Sequence, residues 1–168
     1  MEVRGSLLVL LPRSIITPSY NPSAIYQEVL MTFILTLHSI LRWATIIVAV
    51  AALIKFGIGW FGKKPYDGTA NQLRVVFTSL MDVQLLLGGF YLVWGGLLGF
   101  GWPSYRLEHL GIMVLAVVLA HLTGLGKDKG DNIRYRNGFL FVLASLAVVV
   151  VGVSLLPGGR WFHITGLF

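Results

Sequence analysis

The sequence contains no cysteine. That excludes disulfides, thiolate metal sites, iron–sulfur clusters and covalent c-type haem attachment. Charge is scarce as well. Only 12% of residues are Asp, Glu, Lys or Arg, against roughly 25% in an ordinary soluble domain. No internal repeat or low-complexity segment occurs. There is no phosphate-binding glycine loop, no zinc-ligand spacing and no nucleophile triad in a workable context. An autonomous hydrolase has nothing here to work with.

What is abundant is apolar side chain, at 56% of the residues. Four apolar stretches come near or exceed the roughly 20 residues that cross a bilayer. They predict an all-α protein: an integral membrane four-helix bundle of up-down topology, with no soluble domain. The expected spans are 33–60, 74–100, 105–125 and 138–156. The net charge of +6 does not point to nucleic acid, because the basic residues gather in two short loops. These loops and the adjoining helix ends hold Lys55, Lys63, Lys64, Arg74, Lys127, Lys129, Arg134 and Arg136. The positive-inside rule then places them in the cytoplasm and both termini outside. The expected location is a bacterial cytoplasmic membrane, with lipids and further subunits of a membrane complex as partners.

The ends read differently from the middle. Residues 1–30 are expected to be either a peripheral arm or an over-called start. Arg4 and SLLVLL resemble a signal peptide, but Pro12 and Arg13 interrupt the short apolar core. Met31 opens a more natural membrane start, TFILTLHSILRW, while Pro22–Ser23 offers an earlier helix boundary. Residues 31–157 form the bundle. Residues 158–168 form an aromatic tail expected to lie in the interface, with His163 solvated.

The third span, RLEHLGIMVLAVVLAH, carries His109 and His121. They lie about 18 Å apart along a helix axis. Near the outer face, His109 is joined by His38, Arg42, Arg106 and Glu108. His38 and His109 sit on parallel spans in the same leaflet. If those spans are diagonal in the bundle, the gap suits a b-type haem with both imidazoles on the iron. Arg42 and Glu108 would orient the rings or meet propionates, and Met113 would pack on the macrocycle. The alternative is an ordinary wet cluster near the headgroups.

The second group is Asp82 and His121, in the inner half. Asp82, Gly89 and Gly96 share one helical face. Small residues let helices approach closely in lipid, so Asp82 is expected to face the bundle, away from lipid, and to contact His121. An ionisable residue within a span is a functional candidate by default. The two roles open to the pair are a proton relay and a packing contact.

At 37–43 (LHSILRW), 81–88 (MDVQLLLG) and 106–121 the chain resembles a family of small four-span bacterial membrane proteins, some of them labelled cytochrome b-like. The resemblance covers about residues 31–157. Some members have histidine where this chain has Asp82, so no haem or metal role carries over to that depth. The resemblance supports the topology and the choice of residues. The sequence thus points to a small integral subunit of a respiratory or photosynthetic electron-transfer complex, binding haem b or contacting quinone, without independent catalytic activity. The alternatives are a cofactor-free accessory subunit, or a small proton-conducting or transport protein using Asp82 and His121.

Overall fold

The computed structural model describes residues 22–158 and 161. Four helices occur in order: α1 (Pro22–Phe61), α2 (Gly68–Gly95), α3 (Ser104–Leu122) and α4 (Asp131–Ser154). Their boundaries follow from proline and glycine. Pro22 opens α1, where its missing N–H costs nothing. No further proline occurs before Pro65, in the α1–α2 turn. Pro103 precedes α3 and Pro157 follows α4. Each described proline therefore lies at a helix boundary, where it interrupts no ladder. α2 runs on into a wide turn, Gly96–Phe100, and the chain then reverses through Gly99 and Gly101 at φ 90° and 74°. A side chain at either position would be strained.

α1, α2 and α4 start earlier than the apolar spans that announced them, whereas α3 ends at Leu122, short of the expected 125. α1 begins at Pro22 and has 40 residues. α2 begins at Gly68, because the Asp67 carboxylate accepts the Ala70 N–H at 2.8 Å and caps a polar first turn. All four helices are long and apolar enough to cross a membrane.

α1 packs on α2 and α4, and α3 packs on the same two, so α1 and α3 are diagonal. The core is built of small residues facing large ones. Ala49, Ala52 and Phe56 of α1 meet Phe77 and Met81 of α2, Ala116 and Ala120 of α3, and Val142 of α4. Ser145 is fully buried and donates to the Ala116 carbonyl at 2.8 Å, tying α3 to α4. Outward faces carry large apolar side chains such as Ile47, Ile54, Leu86 and Val151. That arrangement suits a bundle whose solvent is lipid, where close packing and hydrogen bonds hold helices together.

The basic end of the bundle is laced by contacts from side chain to turn. The Tyr135 hydroxyl donates to the Pro65 carbonyl at 3.1 Å, and Asn132 donates to the Trp60 carbonyl at 3.0 Å. The Arg134 guanidinium lies 3.6 Å from the Tyr66 ring centroid. Lys55 donates to Asp67. This hydrogen bond, and after it the one from Ala70, hold the Asp67 carboxyl below the usual carboxylate range. A lowered folded-state pKa stabilises above the unfolded value and stops doing so as pH falls through the folded one. Asp67→Ala should therefore lower the thermal midpoint in detergent at neutral pH. The difference from wild type should shrink as the pH is brought below the carboxylate range. A difference unchanged across that range would show that the charge contributes nothing.

Candidate functional site

At the end of the bundle remote from the basic loops, a cavity of about 150 Å³ opens between the diagonal helices α1 and α3. Its walls are mostly apolar. Its polar groups include His38, Ser39, Arg42 and Thr45 from α1, Gln84 and Tyr91 from α2, and Tyr105, Arg106 and His109 from α3. Among the described residues, no carboxylate lines it.

His38 fits because Gly88 faces it: a Cβ on Gly88 would lie 3.2 Å from His38 Cε1. Gln84 Nε2 donates to the His38 backbone oxygen at 2.9 Å, locking α1 to α2 at that level. The Nδ1 atom of His38 is buried and has no hydrogen-bond partner among the described residues. His109 is held differently. Its Nδ1 lies 2.8 Å from the Gly152 carbonyl of α4. A carbonyl only accepts, so Nδ1 carries the proton. In the neutral ring Nε2 is then the free lone pair, the arrangement usual for a metal-ligating histidine.

The two arginines are anchored on aromatic rings. Arg42 donates from Nη2 to the Trp161 carbonyl at 3.0 Å, and its guanidinium carbon lies 5.9 and 6.0 Å from the Trp43 and Trp161 rings. Its Nε is buried without a partner. Arg106 lies over Tyr91 and Tyr105 at 5.4 and 5.8 Å. Such stacking fixes a guanidinium plane and leaves N–H groups not already donating, as at Arg106, available.

Of the residues singled out in the sequence, His38, Arg42, Arg106, His109 and Met113 meet at this cavity. Glu108 does not: it is exposed on α3 and absent from the cavity wall. The helical twist places it about 100° around the axis from His109. Gln84, Tyr91 and Tyr105 were not singled out as site residues. The signal for Gln84 was a lone amide in an apolar span, one turn before Gly88. The tyrosines gave no signal apart from ordinary interfacial aromatics. His163 and the rest of 162–168, with residues 1–21, 159 and 160, lie outside the described residues.

Asp82 and His121 are in contact, with His121 Nε2 2.8 Å from Asp82 Oδ1. The expectation that Asp82 faces the bundle interior is corrected. The two side chains are 43% and 56% exposed, on the outer rim of the α2–α3 seam. The inward face of α2 is instead Phe77, Met81, Gln84, Gly88 and Leu92. Asp82 is about 100° away from Met81. The glycine face does not serve a close helix approach either. A Cβ on Gly89 would meet nothing within 4 Å, and Gly96 makes room for the Trp102 ring. Nor is Asp82 in a separate deep layer: Gln84, two residues on, already reaches His38.

The chain matches no known family profile, no curated protein and no solved structure. Chemically, the cavity offers two imidazoles on opposite walls and two cations beside an apolar space. It suits a flat apolar group bearing acidic or carbonyl substituents.

Proposed function

We propose that this protein is a small integral subunit of a membrane electron-transfer complex, oriented with both termini outside, and that the cavity between α1 and α3 receives a b-type haem. The observation that carries the reading is the pair of imidazoles on diagonal helices, both opening on one cavity. Each has a nitrogen without a protein partner, Nδ1 of His38 and Nε2 of His109. His109 is pre-oriented by the Gly152 carbonyl, and Arg42 and Arg106 are placed to neutralise carboxylates at the rim. The bound group would supply one-electron chemistry. The chain holds its ligands, excludes water and sets the local charge. Two cations and no carboxylate near the group would favour its reduced, more negative form.

A second reading rests on the cavity volume. About 150 Å³ is the size of an engineered cavity that holds benzene, which favours a quinone head group hydrogen-bonded by His38, Gln84 or Arg42.

The test is the absorbance of purified protein, dithionite-reduced minus air-oxidised, after haem-replete expression. The expected result is a b-type spectrum that His38→Ala and His109→Ala each abolish and His121→Ala retains. Protein without that spectrum, carrying an extractable quinone that His38→Ala removes, would replace the first reading by the second. Protein with neither would leave a cofactor-free accessory subunit.

A further inference from the structure

We propose that a groove between α1 and α4, at the basic end of the bundle, binds one anionic phospholipid. An acyl chain lies in the groove and the phosphate meets Lys63 and Lys64. The proposal is independent of what the cavity holds.

The groove has a volume of about 560 Å³ and follows the last ten residues of α1. Leu53, Ile54 and Ile58 of α1 form one side and Phe139 of α4 the other. Every residue lining it is apolar. Gly57 forms its floor: a Cβ there would touch the Phe139 ring at 3.4 Å. Ile54 and Ile58 are exposed, on helices long and apolar enough to cross a membrane. A methylene chain fills such a groove without leaving a polar group unmet.

The basic end of the groove is where hydrocarbon gives way to headgroups. The Trp60 ring lies there, stacked on Phe61 at 4.7 Å and 5.8 Å from Phe139. Tryptophan favours that boundary. Lys64 runs beside it. A Cβ on Gly62, which lines the groove, would lie 3.5 Å from Cγ and Cε of Lys64. The methylenes of Lys64 therefore flank the mouth and carry its ammonium outward.

The two lysines have no anion of their own. The last carbonyls of α1 would ordinarily draw them, but backbone N–H groups take those carbonyls first. Lys64 N donates to Gly59 O at 3.0 Å and Lys63 N to Trp60 O at 3.3 Å. Asn132 donates to Trp60 O as well. Asp67 and Asp131 answer Lys55 and Arg134 instead. Among the described residues, neither Lys63 nor Lys64 is in an ion pair. Lys63 also has φ 48°, the one positive value at a non-glycine among the described residues. Glycine is the usual choice at that place in a helix ending, and a lysine there is strained. A phosphodiester supplies the missing charge. Basic residues at the end of an apolar groove between spans are how anionic headgroups are recognised.

The full chain, purified in neutral detergent, is titrated with phosphatidylglycerol or with phosphatidylcholine of the same acyl chains. Bound lipid is counted by native mass spectrometry. Phosphatidylglycerol should bind at least tenfold more tightly. Lys63→Gly with Lys64→Gln removes two charges and relieves the strained backbone, so the bundle stays folded. This double variant should lose the preference. Lys127→Gln with Lys129→Gln removes the same charge from the other basic loop and should keep it. Glycerol phosphate, a headgroup without chains, should not displace the lipid. Equal binding of the two lipids would mean that the groove takes any acyl chain or is covered by protein. A preference lost in both double variants, or in neither, would mean that Lys63 and Lys64 are not the recognising charges. Displacement by glycerol phosphate would mean a site for free anions. Each of these results overturns the proposal.

Discussion

Gly59→Ala should be the most damaging small substitution in this bundle. A Cβ there would lie 2.4–2.5 Å from Cε1, Cζ and Cδ1 of Tyr135, a ring only 1% exposed. The ring cannot easily yield. Its hydroxyl is held by the Pro65 carbonyl, and it packs on Phe56 and Tyr66 with centroids 6.3 and 4.9 Å away. Alanine gains about 1 kcal/mol of helix propensity over glycine, but forced overpacking costs about 1–3 kcal/mol and sometimes more. Here α1 and α4 must also separate, which strains the turn contacts at the basic end. The expected net loss is about 2 kcal/mol, read as an earlier unfolding transition in detergent. Gly68→Ala, where a Cβ meets nothing, should be neutral or slightly stabilising. A Tyr135→Leu background should recover part of the Gly59→Ala loss, because the two sites touch. An unchanged transition for Gly59→Ala would show that α1 and α4 are not packed as described.

Gly152→Ala should empty the cavity and leave the bundle folded. Its Cβ would lie 2.3 Å from Met113 Cε and 2.9 Å from Ile112 Cγ2. Met113 is flexible and can move, but the space open to it is the cavity it lines. Ile112 is β-branched and stiff, so α3 must shift from α4, lengthening the contact of His109 with the Gly152 carbonyl. Room is lost, and the imidazole loses the bond that orients it. The cavity ligand should bind more than tenfold more weakly, at least about 1.4 kcal/mol. The measurement is ligand content per protein after titration, by absorbance for haem or by extraction for quinone. Gly111→Ala, on open surface, should leave binding intact. Met113→Ala added to Gly152→Ala should restore part of it. Full occupancy in the single variant would mean that the ligand does not use this space.

The architecture was legible because lipid imposes it: four long apolar stretches leave few alternatives to four spanning helices. The conjunction of His38 and His109 was legible too, since up-down connectivity sends α1 and α3 the same way. The diagonal placement had to be assumed. Which way Asp82 points was misread from its spacing with Gly89 and Gly96. Small residues mark a close approach, but the partner can be a helix, an aromatic ring or nothing in the same chain. Gly96 faces Trp102 and Gly89 faces open space. The glycines that do seat neighbouring elements, Gly59, Gly138 and Gly152, drew no notice because nothing polar accompanies them. The starts of α2 and α4 were set late because hydropathy registers the hydrocarbon, whereas capping by Asp67 and the polar first turns of α4 extend helix into polar surroundings. The start at Pro22 was offered by the sequence, and α3 and α4 end two to three residues sooner than expected.

The length of α1 has a mechanical consequence. Forty residues make a rod of about 60 Å, whereas a bilayer with its headgroups is about 40–45 Å thick. Accommodating the whole rod would take a tilt of about 40° or more, the extreme of what spanning helices show. The rod therefore stands proud of the membrane. His38 lies 16 residues from Pro22, about 24 Å along the same unbroken helix. With no proline between them to act as a hinge, leverage applied to the projecting end turns the imidazole directly.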